Sequence, residues 1–247
     1  MQKTTYKIKI KRGLYMARRR RVNTTKIEIV QTATRMFLER GYTETSLKAI
    51  CDELDISTGN LTFYFPTKEH LLALLVKMLC RYQWEMMEHA ADEGKTSLMA
   101  LCLELTAMAA SCEESEIAKD FYLSTYTHPM TLDIIRKNDT EKARQVFGKE
   151  YCSTWKDQNF REAELLVSGI EYATMMTTES SAPLDVRIAG AIGTVMLIYN
   201  VPEEIRKMKI SKVMATDYRG LGRQILRGFI EYTEGLDEED LEALIMS

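Results

Sequence analysis

GYTETSLKAICDELDISTGNLTFYFPTKEHL, residues 41–71, is the stretch that decides the fold. Thr45 or Ser46 stands where a side-chain oxygen caps a helix, and Leu47, Ile50, Cys51 and Leu54 then fall on one face. Cys51 reads as a small core filler that lets two helices approach. Ile56 anchors a tight turn inward and Ser57 caps a second helix that runs to Phe63. Seven residues make a helix of about 10 Å at about 1.5 Å per residue. Gly59 and Asn60 keep its outer face slim. Phe65-Pro66-Thr67 stops it, and Thr67 caps a long helix that starts at Lys68. Two short helices around a turn, the second small enough to enter a DNA major groove, predict a helix-turn-helix.

Upstream, Thr25 and Glu28 have the spacing of a capping box. Ile29, Val30, Ala33, Met36 and Phe37 follow as one apolar stripe, and Arg40-Gly41 ends that helix, with Tyr42 folding back over it. Residues 1–27 hold ten Lys/Arg and no Asp/Glu, while the chain as a whole has net charge −3. A basic arm on an acidic body directs polyanion binding to one end of the molecule. The run Arg18-Arg19-Arg20-Arg21 lies beside the helix-turn-helix, where such an arm reaches the adjacent minor groove. The expected organisation is a basic flexible arm over 1–21, a DNA-binding domain over 22–67, a helical regulatory and dimerisation domain over 68–235 and an acidic tail over 236–247.

The 247 residues suffice for a sizeable core, and only 4 prolines and 12 glycines interrupt them, which favours long helices and an all-α fold. There is no signal-peptide h-region and no membrane-length apolar run, so a cytoplasmic protein is expected. Five cysteines without a CxxC pair fit a reducing compartment and form no zinc framework. His70, His89 and His128 are scattered, and no HExxH, G-x-S-x-G, P-loop or G-x-G-x-x-G sequence occurs. No enzyme, metal or cofactor is implied.

Beyond Lys68 the periodicity predicts helices over 68–91, 96–112, 115–127, 130–156, 160–179, 184–200 and 204–233. This half is rich in large soft side chains, among them Trp84, Met87, Met108, Phe121, Tyr122, Tyr126, Trp155, Tyr172 and Met176. Glu104 and Glu171 interrupt apolar stretches and read as a solvated helix face; if buried, they would favour a cationic ligand.

The register Ala33-x3-Phe37-x3-Gly41-Tyr42-x2-Thr45-Ser46-Leu47-x2-Ile50-Cys51, continued by Ile56-Ser57-x-Gly59-x-Leu61-x3-Phe65-x2-Lys68-Glu69-x-Leu71, resembles the TetR (tetracycline-repressor-like) family of transcriptional regulators. The likeness covers residues 24–72. Thr62 stands where that family usually has an aromatic residue.

The resemblance implies phosphate contacts from Thr45, Ser46, Tyr64 and Lys68, and base-edge contacts from Thr58, Asn60, Thr62 and Phe63. It also implies a pocket for an unknown small-molecule effector, drawn from the soft side chains named above. The last two helices would form a dimer interface through Gly190, Gly193, Leu197, Leu221, Ile225 and Phe229. The expected function is a homodimeric repressor on double-stranded operator DNA, released by its effector. The alternative is a DNA-binding protein of the same fold without a small-molecule ligand, controlled by a protein partner or structural.

Overall fold

The computed structural model describes residues 25–93 and 97–246. The basic arm, with Arg18 to Arg21, lies outside the described residues. Among the described residues the chain is all helix: α1 (25–40), α2 (Leu47–Leu54), α3 (Thr58–Tyr64), α4 (Lys68–Ala91), α5 (Leu98–Glu114), α6 (Glu116–Thr127), α7 (Pro129–Phe147), α8 (Asp157–Met175), α9 (Leu184–Ile198), α10 (Glu203–Met214), α11 (Tyr218–Glu234) and α12 (Glu238–Met246). None is long and apolar enough to cross a membrane.

The expected apolar stripe of α1 is fully buried, from Ile29 to Phe37. Thr25 is already helical, so it does not act as the cap. The chain leaves α1 through Gly41 at φ +95°, a left-handed turn that a side chain would strain. Tyr42 then packs edge-on against Phe37 with ring centroids 5.0 Å apart.

α4, at about 1.5 Å per residue, carries its 24 residues from the N-terminal three-helix head into the body. There it packs on α5 and α7. α5 is apolar nearly all round, and a helix of that composition belongs in the middle of a core. It touches α4, α6, α8, α9, α10 and α11. α11 comes close to it at Gly222, where an added Cβ would sit 2.8 Å from the Ala107 carbonyl oxygen. Ser111 Oγ donates to the Gly222 carbonyl at 2.8 Å across the same contact.

Three boundaries differ from expectation. The helix predicted over 130–156 stops at Phe147, whose carbonyl accepts the N–H groups of both Tyr151 and Cys152 and so turns the chain. The segment 204–233 is two helices, because Asp217 caps α11 by accepting the Gly220 N–H at 2.9 Å. The acidic C-terminal stretch is a docked helix, α12, with Leu241 and Leu244 buried against the core next to α4.

Candidate nucleic-acid interface and regulatory cavity

In the head, α2 and α3 each start on a serine cap. Ser46 accepts the Ala49 N–H at 3.0 Å and starts α2; Ser57 accepts the Asn60 N–H at 3.2 Å and starts α3. Leu61 is the sole fully buried residue of α3 and roots it. Thr58, Gly59 and Asn60 face outward, and Phe63 is 76% exposed, an unusual position for a ring unless it meets a partner. The Phe63 and Tyr64 rings meet edge to face with centroids 5.1 Å apart, so each steadies the other. Ser46 is also exposed, beside the first turn of α2.

Three expected contacts are placed differently. Thr45 is buried, and its hydroxyl donates to the Gly41 carbonyl at 2.8 Å, so it pins the loop and has nothing left for a phosphate. The Thr62 hydroxyl donates back to the Thr58 carbonyl at 3.0 Å, so it is already engaged within its own helix. Lys68 turns its ammonium inward, donating to the Tyr42 carbonyl and lying 3.9 Å from the Tyr42 ring centroid. Burial lowers its pKa, against the pull of Asp120, Glu69 and Glu44. It buttresses the loop after α1 rather than facing outward.

In the body, a cavity of about 40 Å³ lies between α4, α5, α6, α7 and α8. Val76, Leu79, Met108 and Ile135 form its apolar side, and Glu104, Asp139 and Glu171 its acidic side. Of the nine expected pocket residues, Met108, Tyr122 and Tyr126 line it. The others have different work. Met87 and Phe121 are fully buried packing, and Trp84 lies 4.9 Å beneath the Lys142 ammonium. Trp155 packs on Phe160 and Tyr199, Tyr172 is partly buried against the core, and Met176 is exposed.

Glu104 and Glu171 are not a solvated face. Glu104 accepts two hydrogen bonds from Lys142 Nζ, at 2.7 and 2.9 Å, and Tyr126 donates to Glu171 at 2.9 Å. Burial alone would lower the Lys142 pKa, but the carboxylates of Glu104 and Asp139 outweigh it and keep the ammonium charged. A second chamber of about 20 Å³ adjoins, sharing Glu104, Asp139 and Glu171 and adding Lys142, Glu164 and Tyr199. Burial, with Asp139 and Glu171 close by, pushes the Glu164 carboxyl well above the usual carboxylate range. Cys102 and Cys112 are buried thiols pushed up to about 12 by burial, which makes them unreactive.

The sequence model of bacterial regulatory proteins, tetR family, matches residues 29–75, the span from α1 into α4. The chain carries the DNA-binding domain of the TetR family of transcriptional regulators. An HTH-type transcriptional regulator of Bacillus subtilis (strain 168), YuxN, described as uncharacterised, is 44% identical over 54 residues. That match spans 22% of this chain and 18% of the relative. Among solved structures, a gamma-butyrolactone receptor (ArpA-like protein) aligns with TM-score 0.45 at 17% identity, covering 82% of this chain and 99% of its own. The TetR family protein CprB from S. coelicolor A3(2) aligns with TM-score 0.43 at 20% identity, covering 82% of this chain and 98% of its own.

A polar contact between α6 and the loop after α1 ties the head to the body. Asp120 of α6 accepts the Thr43 N–H at 2.9 Å and also the Thr43 hydroxyl. α6 bears Tyr122 and Tyr126, which line the cavity. Sequence periodicity could not show this, because it joins residues 77 positions apart.

The residues expected at a dimer interface divide. Ile225 and Phe229 are buried in the chain's own core, and Leu221 is packed against it, because α11 lies along α5. Gly190 and Leu197 are exposed on α9, and Gly193 is half-buried beside Ile210. Exposed Val186 continues that face, and Leu165, Leu166 and Gly169 form a matching one on neighbouring α8.

Proposed function

We propose that the chain is a homodimeric, effector-released repressor. α3 enters the major groove of operator DNA, with Thr58, Asn60 and Phe63 toward base edges and Ser46 and Tyr64 toward the backbone. The observation that carries this reading is the geometry of α3: one fully buried side chain, Leu61, roots the helix, and Thr58, Gly59, Asn60 and Phe63 are exposed for a groove. The dimer forms through the α8 and α9 faces, where Leu165, Leu166, Val186 and Leu197 leave apolar surface open and Gly169 and Gly190 permit close helix approach. Two heads then reach half-sites about 34–36 Å apart.

The effector enters the cavity beside Tyr122 and Tyr126. At about 40 Å³ the space admits only a few waters, since one water needs about 10–15 Å³. A drug-sized molecule therefore enters only an arrangement in which these side chains have moved. It must favour that arrangement over the closed one, which is the differential affinity that a population shift requires. The Asp120–Thr43 contact passes the movement of α6 to the head.

The test is selection of DNA fragments by the full-length chain at a fixed salt near physiological. A palindrome with half-sites one helical turn apart is the expected product. Sequence-blind binding with a steep salt dependence would sink the reading, because it would leave only phosphate contacts.

A further inference from the structure

The second chamber is lined by four carboxyl groups, Glu104, Asp139, Glu164 and Glu171, and one ammonium, Lys142. Asp139 of α7 and Glu164 and Glu171 of α8 each place a carboxylate oxygen within 4.8 Å of the other two. Glu164 and Glu171 are seven residues apart, two helical turns, and so share one face of α8. The nearby ammonium, Lys142, makes its close bonds to Glu104 and stands 3.3 Å from Asp139. Tyr126 satisfies one oxygen of Glu171. Glu164, 1% exposed, keeps Oε1 without a hydrogen-bond partner among the described residues, and so does the Tyr199 hydroxyl, also 1% exposed and lining the same chamber. Stacking on Phe147, at 4.2 Å between centroids, holds the Tyr199 ring in place. Two buried polar groups without partners, in one chamber with crowded carboxylates, are unusual.

We propose that this chamber is a binding site for a hard divalent cation of the Mg²⁺, Mn²⁺ or Ca²⁺ class, held by Asp139, Glu164 and Glu171. Size and chemistry select the ion. Oxygens bound at about 2.1–2.5 Å to one ion lie up to about 4–5 Å apart, as these three do. A chamber of about 20 Å³ accepts an ion and a water, whereas the ammonium head of an organic ligand with its substituents is too large. The donors are all carboxylate oxygens, which suit hard cations; the soft ligands that select zinc or copper are not among them. The unpaired Tyr199 hydroxyl would hydrogen-bond an ion-bound water. Such an ion fastens α7 to α8 beside the regulatory cavity, which shares Asp139 and Glu171 with it. The site does not depend on the effector-release reading.

The full-length protein, stripped with chelator, is titrated with Mn²⁺ by calorimetry and by electron paramagnetic resonance, then with Mg²⁺ and Ca²⁺. One Mn²⁺ per chain is expected, with a rise in Tm. Glu164→Gln and Asp139→Asn are each expected to weaken binding at least about tenfold. Asp133→Asn, which removes an exposed carboxylate on the same α7, is expected to leave it unchanged. Because Gln and Asn relieve crowding of like charge, the variants are expected to fold in chelator and to lose only the metal-dependent rise in Tm. Any of three results overturns the proposal: no saturable binding of the three ions at millimolar concentration; binding that Glu164→Gln and Asp139→Asn leave intact; or a rise in Tm with tetramethylammonium and none with the metals.

Discussion

The helix-turn-helix head and the helical body are held by different forces. α5 buries thirteen of its seventeen residues, whereas α3 buries one of seven. The head relies on local devices: serine caps, a left-handed glycine and a threonine hydroxyl tied to a loop carbonyl. The body relies on packing around α5 and on a buried charge network that joins three helices. A surface that must fit another molecule has little apolar area to spare for its own stability, and the body supplies what the head lacks.

The comparison is broken most severely in the body. Lys142→Met leaves Glu104 and Asp139 without their ammonium and is expected to cost about 3–5 kcal/mol in denaturant unfolding. In the head, Leu61→Ala removes the one root of α3 and is expected to cost about 2–3 kcal/mol, the low end for a core leucine because a short surface helix collapses around the gap. Operator binding should be lost with it in a gel-shift titration.

At the body's rim, Glu93 pairs with Lys209 and Lys212. Burial raises the Glu93 pKa, but the two ammonium groups outweigh it and hold it below the usual carboxylate value. A depressed folded value means that the pair stabilises above the unfolded pKa and loses this effect as pH falls through the folded one. Glu93→Gln is thus expected to cost about 1 kcal/mol at pH 7, a cost that fades as pH falls through the lowered folded value, as read by thermal melts at successively lower pH.

The smallest effect on folding sharpens the contrast. Phe63→Ala should change stability by less than about 0.5 kcal/mol, since the ring is solvent-exposed. Yet it should weaken operator binding roughly tenfold, the loss expected for one apolar base contact. Two neighbours on one helix, Leu61 and Phe63, would then separate folding from recognition.

What the sequence made legible follows the same division. Ser57, Phe65-Pro66-Thr67 and the stripe from Ile29 to Phe37 are local signals, and each sits where the pattern put it, although the Thr67 hydroxyl meets His70 Nδ1 at 3.0 Å instead of capping a backbone N–H of α4. Asp217 was a local signal too, but the continuing apolar period masked the break it makes between α10 and α11. The charge network was not legible, because Glu104, Asp139, Lys142 and Glu171 lie on three helices and look singly like solvated positions. The direction of Lys68 and the burial of Thr45 depend on the loop after α1, which pattern alone does not fold. The apolar stripe of α11 was read as an interface, although a stripe is equally well used against a helix of its own chain.

One contact gives the molecule an order in time. Gln31 of α1 donates to the Thr233 and Glu234 carbonyls, the first of them 202 positions away, and α12 follows directly after. At about 5–20 residues per second, a ribosome needs roughly ten to forty seconds between making those two partners. For that interval a newborn head is complete in sequence yet has no brace from the far end of the chain. Each copy therefore gains this grip on α1 only after the residues around Thr233 have been made.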